Sequence, residues 1–196
     1  MAYSLDLTGM LSWAATMAAR PDVGYSQTYR SYQTSGGITY FDCSSFVFFA
    51  MWLGGGLDIG SLGYDTNLAH YQSIPRTAFC PALSYDIRIF NAIGCERIST
   101  DPAAWQPGDF LVKTRAHIEM VYTTSPMQQV GARTDSLPLA DQVAIHSLSG
   151  GYYDQVYRFP GGVVPPAPPD PGYRPHGPLP LWLLKAAITN HRGGIM

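Results

Sequence analysis

The sequence predicts an α+β fold, on three observations. Apolar residues recur at helical spacing in the first half, short alternating stretches fill the part after residue 105, and turns rich in glycine and proline separate them. A chain of 196 residues can bury one substantial core and still carry a tail. The expected division is one domain over 1–160, a proline-rich linker over 161–178 and a short C-terminal segment over 179–196.

A first helix is expected over 4–19, where Leu5, Met10, Leu11, Trp13, Ala14 and Met17 form an amphipathic stripe that Arg20-Pro21 ends. The tyrosine-studded stretch from Gly24 to Gly37 shows no period and reads as an irregular loop. A second helix over 43–53 places Phe46, Phe49, Ala50 and Leu53 at i, i+3, i+4 and i+7, and Gly54-Gly55-Gly56 stops it. A short helix follows over 66–73, capped by Asp65 or Thr66. Within the polar stretch 79–99, Ile87, Ile89 and Phe90 have roughly strand-like spacing. Pro107-Gly108-Asp109 then turns the chain into strands at 110–113, 117–122, 127–132, 142–147 and 155–159. The run from Pro160 to Pro171 reads as a stiff, extended linker. After it, Trp182, Leu183, Leu184, Ala187 and Ile188 give residues 179–190 an apolar helical face, a candidate for self-association or for docking a separate wall-binding module.

Composition excludes several functions. The net charge is -2 and no basic run exists to neutralise phosphates, so nucleic acid is not an expected partner. No apolar stretch reaches the roughly 18–20 residues of a membrane span. The N-terminus lacks a basic region and carries Asp6 early, which reads as a helix rather than a signal peptide, so synthesis in the cytoplasm is expected. Cysteines at 43, 80 and 95 fit neither a disulfide framework nor a zinc site; Cys80 and Cys95 read as small buried residues, with a Cys80–Cys95 bridge as the alternative. His70, His146, His176 and His191 have no matched partners, no Asp-x-Asp-x-Asp loop is present, and no metal or cofactor is expected. Thirteen tyrosines suit a groove that grips a polymeric, partly apolar substrate.

Chemistry concentrates in two places. Asp42-Cys43-Ser44-Ser45-Phe46 opens the second helix, and a cysteine in a first turn sits where unpaired N–H groups and the helix dipole favour a thiolate nucleophile. His117-Ile118-Glu119-Met120-Val121-Tyr122 alternates, so His117 and Glu119 share one face of a strand. If that face looks at the helix start, an imidazole base and an orienting carboxylate converge on the thiolate.

With Pro107-Gly108-Asp109-Phe110 between them, these blocks resemble the three motif blocks of NlpC-type and CHAP-type peptidoglycan hydrolases, most closely the phage-lysin amidohydrolases of that papain-like clan. The likeness runs from about Leu5 to Phe159, and includes the tyrosine-bearing Val23-Gly24-Tyr25-Ser26 before the cysteine. It implies an antiparallel sheet packed on N-terminal helices, and bacterial peptidoglycan as substrate. Cys43 would attack a stem-peptide amide, His117 would serve as base and then acid, and Tyr25 and Asp42 would serve at the oxyanion or substrate. The family often places the third member as His, Asn or Gln at the start of the next strand. Here that position falls at Gly131 or a neighbour, which cannot orient an imidazole; Glu119 is therefore expected in the role, with Gln129 and Asp135 in reserve. The bond is left open between muramoyl–alanine amidase and stem or cross-bridge endopeptidase. So is the setting: an endolysin acting on the wall after release, a virion tail hydrolase, or a catalytically silent wall-binding module.

Overall fold

The computed structural model describes residues 3–73, 80–148 and 151–161. The expected linker and C-terminal helix over 161–196 lie, but for Gly161, outside the described residues. Helix α1 (Leu7–Ala18) is capped by Asp6, whose carboxylate accepts the Gly9 N–H. Strands β1 (Val23–Tyr25), β2 (Ser31–Ser35) and β3 (Ile38–Phe41) follow, then α2 (Cys43–Phe49), which continues as a π-helical turn, Ala50–Gly54. Two short helices, α3 (Leu68–Ser73) and α4 (Arg88–Ala92), precede β4 (Glu96–Ile98), β5 (Phe110–Lys113), β6 (His117–Thr124) and β7 (Met127–Ala132). Helix α5 (Leu139–Gln142), β8 (Val143–Ser147) and β9 (Gln155–Arg158) complete the chain.

The α+β class is as expected, with two sheets. The smaller has the order β1-β3-β2 and the larger β4-β9-β5-β6-β7-β8. Every neighbouring pair of the larger sheet is antiparallel. One face of it, with Phe110, Ile118, Met120, Val130 and Tyr157, packs into a single core with α1 and α2 through Met10, Trp13, Phe46, Phe49 and their neighbours. Alternation turns Leu111, Val121 and Val156 to the other face, where Trp105 and Tyr153 close a second, smaller cluster.

Three sequence expectations are corrected. The stretch 24–37 is not irregular: it holds most of β1, all of β2 and the turn into β3, with Gly36 and Gly37 at φ of 59° and 81° making the tight connection. Its period is hidden because the buried positions of β2, Ser31 and Gln33, are polar. Ile89 and Phe90 lie in a helix rather than a strand, because burial of Ile89 with Ile93 follows i, i+4 spacing. Gln142 closes α5 instead of opening β8.

The start of α2 is fixed by charge. The Asp42 carboxylate accepts the Ser45 N–H at 2.7 Å while the Ser45 hydroxyl accepts the Asp42 N–H at 2.9 Å, a reciprocal capping box. The other Asp42 oxygen stands 2.8 Å from Arg30 Nε, a contact of charges without the alignment of a hydrogen bond. The Pro107-Gly108-Asp109 block is architectural too. Asp109 is buried, accepts the Gln106 N–H at 2.7 Å and takes a bidentate pair from Arg158, tying the entry of β5 to β9.

Candidate active site

Cys43 is the first residue of α2 and Tyr25 the last of β1; β1 pairs in parallel with β3, Tyr25 opposite Phe41. This register brings Tyr25 beside the helix that opens with Cys43. His117 is the first residue of β6. The sheet face packed against α2 is the one bearing Ile118 and Met120, so the face shared by His117 and Glu119 is not the one that lies on the helix, as the alternation suggested. His117 meets Cys43 from the first residue of its strand. Cys43 is close enough to the ring to act on its affinity for a proton.

The His117 ring spends Nε2 on Glu119, 2.9 Å from Oε1. Burial works to lower the affinity of His117 for its proton. The hydrogen bonds to Cys43 and Glu119, and the negative charge on both, outweigh it and raise the pKa to about 10. Burial works in the opposite sense on Glu119, which is 1% exposed, yet its partners His117 and His146 bring the carboxyl down to about 2. His117 is therefore held as an imidazolium against the Glu119 carboxylate.

Glu119 has more partners than His117. His146 Nε2 stands 3.0 Å from Oε2 and 3.2 Å from Oε1, and the Tyr153 hydroxyl donates to Oε2 at 3.2 Å. The same hydroxyl stands closer to Gln129 Oε1, at 2.8 Å, so its one proton is shared between the two acceptors, and Gln129 Nε2 stands 3.4 Å from both nitrogens of His146. Burial and then the charge of Glu119 push the Tyr153 phenol well above its ordinary range, so it remains a donor. Among Glu119, Gln129 and Asp135, only Glu119 has a hydrogen bond to His117 among the described residues.

Gly131 explains the geometry. It pairs with Ala144 on β8, and a Cβ built on it would stand 2.5 Å from Glu119 Cγ and 2.9 Å from Cδ. Its φ is not positive, so glycine is needed for space and not for backbone conformation. The volume that a side chain from β7 would fill is filled by Glu119 from β6.

A cavity of about 470 Å³ opens over this network, lined by Tyr25, His117, Glu119, Gln129, Arg133 and His146 among others. Cys43 is 5% exposed and is not itself a wall, whereas His117 and Tyr25 are. Burial first, then the negative charges of Cys43, Asp42 and Asp135, raise the Tyr25 phenol to about 12 against the opposing bond from Gln27. Tyr25 thus keeps its proton beside the sulfur.

Asp42 does not line the cavity. Its oxygens are committed to Ser45 and Arg30, so the structure gives it the part of a helix cap in place of the expected contact with substrate. His70 and His146, expected to lack partners, have them: His70 Nδ1 stands 2.5 Å from Asp65, and His146 shares Glu119. The alternation of β8 is the only sequence signal toward His146; its register against Gln129 comes from the structure. His176 and His191 lie outside the described residues. The three cysteines are free, so no Cys80–Cys95 bridge forms. Among the described residues, no helix is long and apolar enough to cross a membrane, and no group of three His, Cys, Asp or Glu is arranged to hold a metal ion. No family model, no curated protein and no solved structure matches the chain.

Proposed function

We propose that the chain is a cysteine amidohydrolase of bacterial peptidoglycan, built on a papain-like version of the α+β fold and acting on the wall as an endolysin after release from the cell that makes it. The observation that carries this reading is the setting of His117, with the buried Glu119 bonded to its Nε2 at 2.9 Å and Cys43 close enough to act on its proton affinity. In the reaction, the Cys43 thiolate attacks a stem-peptide amide carbonyl. The first N–H groups of α2, unpaired within the helix, and the protonated Tyr25 hydroxyl face the developing oxyanion. His117 gives its proton to the leaving amine, and the C–N bond breaks to leave a thioester on Cys43. The neutral ring then takes a proton from water, whose oxygen attacks the thioester, and the sulfur leaves as thiolate with the imidazolium restored.

Digestion of purified sacculi by the wild-type chain, with Cys43→Ala as control, tests this reading. New muramic lactyl carboxylates with free alanine amines identify an amidase, and other new amines an endopeptidase. No new ends, or equal release by Cys43→Ala, would leave a binding module as the better reading.

A further inference from the structure

Among the cavity walls, Arg133 is a cation without an assigned partner. Among the described residues its side chain makes one long contact, 3.5 Å from Nη1 to the Asp141 carbonyl. Arg20, Arg30, Arg88 and Arg158 each have an aspartate oxygen at 2.5–2.8 Å. Arg133 has no such carboxylate among the described residues, although it lines the same cavity as His117 and His146. The one carboxylate in the cavity wall is Glu119, buried and already met by His117, His146 and Tyr153. Asp135, two residues on, is exposed and is not a wall residue.

The backbone under Arg133 is held in place. Its N–H donates to the Gln142 carbonyl at 2.7 Å. The Gln142 side chain reaches both ways: it accepts the Tyr25 N–H at 2.8 Å and donates to the Leu137 carbonyl at 3.0 Å. One glutamine thus sets the segment after β7 against the strand that carries Tyr25. A guanidinium placed by such a clamp, in a cavity whose only acid is already met, offers its donors to an anion from outside.

Resting on the reading of the site as a stem-peptide amidohydrolase, we infer that Arg133 is a specificity-determining residue that binds a free carboxylate of the stem, close in sequence to the cleaved amide. Stems in which that carboxylate is converted to a carboxamide are the poorer ligands. A carboxamide keeps the shape but loses the charge, and puts N–H donors opposite N–H donors.

The test uses two soluble muramoyl-tripeptides, identical but for a free or amidated α-carboxyl on the D-isoglutamyl residue. Their affinities are measured by calorimetry on Cys43→Ala protein, which removes turnover from the readout. The expected result is about 10-fold or more tighter binding of the free acid, a preference lost in Arg133→Gln and partly kept in Arg133→Lys. Equal affinity for the two ligands, or an undiminished preference in Arg133→Gln with an unchanged melting temperature, would overturn the inference. Failure of the hydrolase reading shows differently, as wild-type protein that leaves sacculi uncut whichever ligand it prefers.

Discussion

Substituting Gly131 by alanine adds one methyl group to β7 and should disable the site without altering any of its polar residues. The new Cβ would lie 2.5 Å from Glu119 Cγ, 2.9 Å from Cδ and 3.1 Å from Cβ. Carbon atoms in contact sit about 3.5–4.0 Å apart, so something must yield by about 1 Å. The backbone of Gly131 is pinned in the ladder against Ala144, which leaves the Glu119 side chain to move. A carboxylate 2.9 Å from His117 and 3.0 Å from His146 cannot shift that far and keep both. One hydrogen bond to a charged group is worth about 1.5–3 kcal/mol, which in an activation barrier is about 10–150-fold in rate. Overpacking costs a further ~1–3 kcal/mol of stability. Solubilisation of sacculi should therefore slow by at least about 10-fold, with a melting temperature lowered by several degrees in the same preparation. In a Glu119→Ala background the added methyl enters vacated space, and the same substitution should cost little more. Full activity in Gly131→Ala, or an equal loss in both backgrounds, would refute the idea that Gly131 exists to admit Glu119.

Three further outcomes follow from the same geometry. Iodoacetamide near neutral pH should label Cys43 before Cys80 or Cys95, because burial holds the thiol of Cys80 well above its ordinary range and raises that of Cys95 to about 12; peptide mapping showing equal labelling of all three would count against a paired Cys43. His146→Ala should slow turnover about 10-fold at unchanged KM, with His146→Gln recovering most of it by restoring a donor to Glu119; equal loss in both variants would assign His146 a merely structural part. Stability should depend on pH in a set direction. His117, raised from 6.5 to about 10, contributes fully below 6.5 and loses that contribution as pH rises through 10; Glu119, lowered from 4.5 to about 2, contributes above 4.5 and loses it as pH falls through 2. Thermal melts should decline from about pH 6.5 towards 10, and a decline just as steep in His117→Gln would exclude this pair as its source.

Helix α2 and strands β5 to β9 were legible because their periods are carried by apolar residues, Phe46 and Phe49 on α2 and Ile118 and Met120 on β6, whereas β4, with only Ile98 apolar, was not. The small sheet was not, since polar Ser31, Gln33 and Thr39 share its buried positions with Val23 and Phe41 and so break the hydrophobic period. Of the site, residues two apart on one strand could be read, so Glu119 was placed beside His117. His146 lies 27 residues from Glu119, and what joins them is the pairing of Gln129 with His146 across β7 and β8, a register the sequence does not print. Gly131 was seen only as the loss of a side chain. Space left for a neighbouring strand is a property of packing, and one strand's sequence does not carry it.

The second histidine has a consequence for the proposed reaction. A carboxylate at 1% exposure is tolerable only with donors around it, since a buried unpaired anion costs several kcal/mol. If His117 were the sole partner of Glu119, passing its proton to the leaving amine would leave that anion against a neutral ring, and the cost would enter the barrier. His146 and Tyr153 remain bonded to Glu119 while His117 is neutral, so the carboxylate stays solvated by protein through the transfer. A neutral orienting residue never faces this problem, because it carries no charge to strand. Choosing a carboxylate on β6 therefore requires two things of the neighbouring strands at once, an empty position at Gly131 and a second donor at His146, and the fold provides both on the same face.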